Sequence, residues 1–379
     1  MKKLLIVIVA AGVLLCGNAF AEDGVTTGEI VLGQSCALTG PAQALGRGMK
    51  AGINACFAKV NAEGGINGRK IRLISKDDGY EPDRAISNTR ELIEKDKVFL
   101  LIGEVGTPTS QAVVPIAERA NVPFFGPFTG AEFLRNPYKK YVINVRASYY
   151  QEMERIAQYM VDKKGLKRIA CFYQNDGYGQ AGLSGIKIAL EKRSMELVAT
   201  SNYERNTVAI KSGLLRIKRG NPDAVVMVGA YKPCAEFIKL AKKVGMKDTL
   251  YCNISFVGTE ALMKELGDAG EGCIISQVVK FPWDRSVPLV KEYQTAMKKY
   301  QPDTKVCFVA LEGYMAGKFF SMVAKNIKVG LTRESFIKAI DSIRIFNLGG
   351  VELQYGPNDH QGMDEVFLTV IKGGKIKPL

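Results

Sequence analysis

Hydroxyl side chains recur at two places one βαβ repeat apart, and their setting suits the binding of an anion. Thr107-Pro108-Thr109-Ser110 stands where a helix should begin, after the apolar run Phe99-Leu100-Leu101-Ile102 and Gly103. Thr129 stands in Gly126-Pro127-Phe128-Thr129-Gly130-Ala131, after Val122-Pro123-Phe124-Phe125. Free backbone N–H groups at a helix start, with hydroxyls beside them, suit a carboxylate or a phosphate. Either loop alone is ordinary cap chemistry. Two of them at the carboxyl ends of neighbouring parallel strands mark the edge at which open α/β sheets bind ligands.

A second pair of loops carries tyrosine. Gly177-Tyr178-Gly179-Gln180-Ala181-Gly182 formally matches the dinucleotide fingerprint, with Glu204 downstream. That fingerprint needs its first glycine in the turn directly after a strand. Here Gln174-Asn175-Asp176 intervenes, so the reading that fits better is a tyrosine directed into a cleft from a helix start. Gly229-Ala230-Tyr231-Lys232-Pro233 repeats the geometry: strand end, tyrosine, then a helix opened by proline. Two tyrosine-bearing edges facing two threonine-bearing edges suggest a ligand held between lobes.

Catalytic patterns find little support. The chain has one histidine, His360, in the polar stretch Pro357-Asn358-Asp359-His360, where a solvated residue is expected. No G-x-S-x-G, H-E-x-x-H or Walker A sequence occurs. Asp77-Asp78 reads as a turn and cap at a strand end rather than as paired acids or metal ligands. Trp283, after Phe281-Pro282, reads as a loop or buried anchor rather than a stacking platform. The expectation is therefore a non-enzymatic protein with no cofactor and no metal.

The elements that must position these residues alternate throughout. Strand patterns at Glu29–Ala37, Lys70–Asp77, Phe99–Ile102, Val122–Phe125 and Tyr141–Val145 alternate with helical spacing at Leu45–Asn61, Pro82–Glu94 and Gln111–Ala120. Arg146-Ala147-Ser148 reads as a crossing, and the pattern restarts behind it. Strands at 168–173, 196–203, 224–228 and 250–254 alternate there with helices at 150–163, 179–192, 208–219 and 233–244. The remainder, from a strand at 274–280 through three helices to strand-like pieces near 351–355 and 366–371, is expected to return and complete both sheets. The fold class is α/β: two doubly wound lobes with several crossings between them.

Composition bounds the setting. The 379 residues suit two domains. Lys2-Lys3, an apolar run from Leu4 to Cys16 and Ala19-Phe20-Ala21 form a cleavable signal peptide, with Glu22 as the expected mature start. Leu14-Leu15 before Cys16 argues against lipid attachment there. Removing Lys2 and Lys3 leaves 50 basic against 38 acidic residues, a net charge of +12. The basic residues are spread along helix faces such as Lys239, Lys242 and Lys243, so the excess favours anionic ligands rather than nucleic acid. Of the seven cysteines left after cleavage, Cys36 with Cys56 and Cys252 with Cys273 are possible pairs.

These features together resemble the type I periplasmic solute-binding proteins of ABC transporters, and within them the branched-chain amino-acid (leucine/isoleucine/valine) group. The resemblance covers essentially the whole mature chain. It rests on Leu38-Thr39-Gly40-Pro41, Val60-Asn61-Ala62-Glu63-Gly64-Gly65-Ile66-Asn67-Gly68, Gly126-Pro127-Phe128-Thr129 and Tyr178-Gly179. It implies two α/β lobes joined by a three-crossing hinge and closing on ligand. The expected partition is 22–146 with 279–348 in the first lobe and 147–278 with 349–379 in the second. By position, Thr107 and Thr129 fall where the ligand carboxylate is held, with Phe128 beside them. Tyr178 and Tyr231 fall at the covering aromatic positions, and Leu45 near the ligand side chain. The departures are specific. Ser255 stands where amino-acid binders carry a glutamate for the ligand ammonium, and Tyr80 and Gly106 stand where the group has a cysteine pair. A charge-assisted bond is worth ~1.5–3 kcal/mol, so the serine removes the main counter-ion for an α-amino group. Glu104 substitutes only if its side chain turns into the cleft.

The expectation is a monomeric periplasmic receptor that captures a small carboxylate, either a branched-chain or other apolar amino acid or an amine-free acid. It would deliver this ligand to the ABC permease subunits of the inner membrane. An exported ligand-sensing module is the alternative use of the same cleft.

Overall fold

The computed structural model describes residues 22–379, so the expected signal peptide at 1–21 lies outside the described residues. Strands β1 (Glu29–Cys36), β2 (Lys70–Asp77), β3 (Leu101–Ile102), β4 (Phe124–Phe125) and β5 (Val142–Ile143) alternate with helices α1 (Gln43–Ala62), α2 (Pro82–Glu94) and α3 (Thr107–Arg119). They form a parallel sheet in the order β2-β1-β3-β4-β5. The last three strands are short, and β3 and β4 are the final two residues of the apolar runs Phe99–Ile102 and Val122–Phe125. α3 starts at Thr107, four residues before the expected Gln111, so the Thr-Pro-Thr-Ser stretch forms the first helical turn rather than a loop.

The second lobe contains α4 (Tyr149–Ala157), β6 (Ile169–Gln174), α5 (Gly177–Glu191), β7 (Ala199–Tyr203), α6 (Lys211–Arg219), β8 (Ala224–Val228), α7 (Tyr231–Lys243), β9 (Leu250–Asn253), α8 (Thr259–Leu266) and β10 (Ile274–Gln277). α4 opens with a reciprocal cap: Gln151 N donates to Ser148 Oγ at 3.2 Å, and Ser148 N donates to Gln151 Oε1 at 2.7 Å. Its continuation from Gln158 to Lys163 is a π turn.

Helices α9 (Pro288–Tyr300), α10 (Phe308–Asn326) and α11 (Arg333–Ile343) return to the first lobe, followed by the hairpin β11 (Ile345–Asn347) and β12 (Glu352–Gln354). Strands β13 (Phe367–Lys372) and β14 (Lys375–Pro378) then complete a sheet ordered β14-β13-β10-β9-β8-β6-β7. In it β13 runs antiparallel to both of its neighbours, β10 and β14, and the other pairings are parallel.

The first lobe is centred on phenylalanines. Phe125 stacks on Phe319 at 5.1 Å, and Phe99 meets Phe336 edge-on at 5.8 Å. Val351, Leu353, Tyr355 and Met363 belong to the same core. The β11-β12 hairpin buries its apolar face against α10. Phe319 and Tyr355 stack there at 5.0 Å. Among the described residues, no helix is long and apolar enough to cross a membrane.

Candidate functional site

The two lobes meet along one continuous apolar cluster. Leu45, Tyr80 and Phe128 of the first lobe pack in it with Tyr149, Tyr178 and Phe256 of the second. Phe256 is central. Its ring lies 4.5 Å from that of Tyr178, 5.4 Å from Phe128 and 5.9 Å from Tyr80, while Tyr149 and Tyr178 are 5.5 Å apart. All five aromatic side chains are fully buried. A ligand therefore reaches this place only when the lobes part.

The sequence expected Thr107, Thr129, Phe128 and Tyr178 in one site, and they lie together here. Thr107 Oγ1 and Thr129 Oγ1 share a hydrogen bond of 2.7 Å at the start of α3, a helix with no side-chain cap of its own. Tyr178 is positioned by Asp176, whose Oδ1 accepts from Tyr178 N at 2.9 Å and closes the first turn of α5. Burial pushes the Tyr178 phenol well above its ordinary range, and its hydroxyl has no hydrogen-bond partner.

The glycines around Tyr178 are explained by close approach. A Cβ on Gly177 would meet the Gln111 amide across the cleft at 2.0 Å, and one on Gly179 would meet Gln174 O at 1.7 Å. They bring helix to strand and lobe to lobe, which accounts for the G-x-G-x-x-G match without a dinucleotide.

Leu45 belongs to this apolar cluster, whereas Tyr231 lies outside it. Leu45 reaches across to the second lobe, where a Cβ on Gly258 would stand 2.6 Å from its Cδ2. Tyr231 packs in the second lobe's own core with its hydroxyl beside the Ala44 backbone. Polar contacts hold the rim elsewhere. Arg205 pairs with Glu81 at 2.8 Å, Asn206 donates to Gly79 O at 3.1 Å and to Glu81 Oε1 at 2.6 Å, and Gln174 donates to Tyr80 Oη at 3.2 Å.

Glu104 does not turn into the cleft. Its carboxyl faces Asp78, Ser35 and Thr89 inside the first lobe, and burial raises its pKa well above the usual carboxylate range. Neither oxygen makes a well-formed hydrogen bond.

Ser255 is likewise committed elsewhere. Its N donates to Glu152 Oε2 at 2.8 Å and its Oγ to Glu152 Oε1 at 2.9 Å. Arg146 Nη2 donates to Ser255 Oγ and, at 2.7 Å, to Glu152 Oε1, while Nη1 lies 3.5 Å from Glu312 Oε1. Ser276 Oγ also donates to Glu152. All of these groups are buried. The guanidinium stands 5.3 Å from the Phe128 ring centre and 5.6 Å from that of Tyr149, so the network forms one wall of the aromatic cluster. Burial pushes the Glu312 carboxyl up to about 7 even with Arg146 beside it.

Other expectations are settled by packing. Asp77 accepts from Leu38 N at 2.8 Å and from Thr39 N at 3.1 Å, a strand-end turn as expected. His360 is buried rather than solvated, with Nδ1 3.2 Å from Val142 O and Nε2 2.9 Å from Asp341 Oδ1. Trp283 is partly exposed, edge-on to Phe281 at 5.0 Å and to Phe308 at 5.7 Å. The seven described cysteines are all free thiols, including the candidate pairs. No group of three or more His, Cys, Asp or Glu side chains among the described residues is arranged to hold a metal ion.

A model of the periplasmic binding protein family matches residues 29–375. The chain belongs to the periplasmic binding protein family. A curated relative, the Leu/Ile/Val-binding protein homolog 7 of Brucella suis, is 25% identical over 94% of this chain and 90% of its own length. The Leu/Ile/Val-binding protein of Escherichia coli K12 is 22% identical over 74% of this chain and 77% of its own length. Among solved structures, a possible leucine/isoleucine/valine-binding protein from Rhodopirellula baltica superposes with a TM-score of 0.89 at 36% identity, covering 96% of this chain and 98% of that one.

Arg146, Glu152, Tyr80, Tyr149 and Phe256 are the wall residues of this binding protein that sequence reasoning missed. A lone arginine in the otherwise uncharged crossing Asn144–Tyr149, six residues before Glu152, was the one available signal.

Proposed function

We propose that the protein is a periplasmic receptor that captures a small carboxylate between its lobes and presents it to an ABC permease of the inner membrane. The observation that carries this reading is the pair of touching hydroxyls, Thr107 and Thr129, at the uncapped start of α3, set against a buried aromatic cluster contributed by both lobes. Helix N–H groups and hydroxyls suit an anionic oxygen, and the rings suit an apolar body. Relatives named for leucine, isoleucine and valine, all carboxylates, support the same class.

Closure is a population shift whose size is set by the ligand's preference for apposed lobes. The rim contacts of Arg205 and Asn206 with Glu81 add to that preference. No residue is assigned a catalytic role, and the solute would leave unchanged.

The test is a thermal-shift series on ligand-stripped protein, comparing apolar and aromatic carboxylates with their primary amides. A carboxylate at a hundred times its Kd should add ~2.7 kcal/mol of stability. Its amide should add almost nothing. Equal stabilisation by acid and amide, or by neither, would reject the carboxylate receptor.

A further inference from the structure

The polar groups that wall the cleft are unequal in what they can still offer. Arg146 Nε is buried and unpartnered, and a guanidinium nitrogen can only donate. The Tyr178 hydroxyl is buried without a partner. The Tyr149 hydroxyl, beside the Thr129 side chain, also makes no well-formed hydrogen bond. The single bond between Thr107 and Thr129 leaves one hydroxyl proton of the pair free to donate.

The carboxylates beside the cleft are directed elsewhere. Both oxygens of Glu152 are taken, by Arg146, by Ser255 twice and by Ser276. Glu312 pairs with Arg146. Glu104 faces Asp78 within the first lobe. An α-ammonium brings three donors and needs acceptors, and a buried ammonium without them is strongly disfavoured.

We infer that the cleft selects an amine-free carboxylate with an oxygen acceptor on the carbon next to the carboxylate, an α-keto acid of apolar or aromatic body. Arg146, which can only donate, sets the selection, and the phenols of Tyr149 and Tyr178 can add donors to the same oxygen. Ser255 holds the guanidinium where a glutamate would otherwise face an amine. This inference rests on the carboxylate-receptor reading and names its ligand class.

The experiment uses matched sets on the ligand-stripped full mature chain: α-ketoisocaproate, isocaproate and L-leucine, then phenylpyruvate, hydrocinnamate and L-phenylalanine. Titration calorimetry should rank keto acid over plain acid over amino acid in at least one set, with about a hundredfold between first and last. An amino acid that binds as tightly as its keto acid overturns the inference and leaves the carboxylate receptor standing. A plain acid that matches its keto acid overturns the role of the second oxygen. Binding by none of the six overturns the inference, and the acid-against-amide comparison above then judges the receptor reading separately.

Arg146 is buried among acids, so replacing it threatens the fold. Tyr178→Phe keeps the ring and removes only the donor. It should weaken the keto acid roughly two- to tenfold more than it weakens the plain acid. An equal loss for keto and plain acids would reduce Tyr178 to a packing residue and reject its selecting role.

Discussion

Two buried clusters of acids stand beside the aromatic cleft, and they solve the same problem differently. In the first lobe, Asp78 and Glu104 lie together with no basic side chain bonded to either among the described residues. Asp78 accepts from Ser35 Oγ and Tyr80 N, each at 2.8 Å, yet burial still pushes it up to about 6. At the hinge, Glu152 and Glu312 surround Arg146, which stays charged: although burial opposes it, the two carboxylates hold its pKa above the ordinary value. Burial raises the Asp78 and Glu104 carboxyls in one cluster and Glu312 in the other, but only the hinge cluster holds a guanidinium among its acids. The cluster without a cation offers the cleft no donor. The one with the guanidinium puts a spare donor into its wall.

The largest expected effect separates the two clusters directly. Arg146→Met leaves Glu152 buried and unpaired and should cost ~3–5 kcal/mol in denaturant unfolding. Glu104→Gln, which replaces an acid whose pKa burial raises by a neutral amide of the same shape, should stay within ~1 kcal/mol. Comparable losses from both would mean that Glu104 is ionised and paired, and the contrast would collapse.

Next comes pH. Asp78 and Glu312 have folded pKa values of about 6 and about 7, above their ordinary 3.8 and 4.5. The folded state therefore binds more protons than the unfolded chain between those limits. These groups contribute stability that is fully present below the ordinary values and is lost as pH rises through the folded ones. Melting temperatures measured between pH 4.5 and 8 should fall with rising pH through this contribution. Asp78→Asn should flatten the part below about 6, and Glu312→Gln the part extending to about 7, each by at most ~3 kcal/mol. A slope unchanged in both variants would place the titration elsewhere.

The smallest effect belongs to the rim. Arg205→Ala removes a partly exposed pair with Glu81 and should change global stability by less than ~1 kcal/mol. It should still enlarge the ligand-free particle in small-angle scattering, because that pair joins the lobes. Unchanged dimensions would leave closure to the aromatic cluster alone.

Much of the fold was legible in the chain. Apolar runs of strand length alternating with helical spacing showed two α/β lobes, since both patterns are local. Thr107, Phe128, Thr129 and Tyr178 were also legible, because strand ends and helix starts at the edge of a parallel sheet have a known place relative to a ligand. Even the absence of the expected glutamate could be read at Ser255.

Direction and partnership could not be read. Glu104 was placed at the right edge, but its side chain faces the first lobe, and the residues around a two-residue strand do not specify that direction. Arg146 meets Ser255 across 109 positions and Glu312 across 166, and no local pattern encodes such pairings. Phe256 becomes the centre of the cleft only when Tyr80 and Phe128 arrive from the other lobe. His360, polar in its local context, is buried because the hairpin behind it packs on the first lobe. Sequence alone determined which elements form and which loops share an edge, because short-range sterics and periodic burial set both. Tertiary structure decided which donors at that edge are left over, because hydrogen-bond partners come from whatever the packed lobes bring within 3 Å or so of one another.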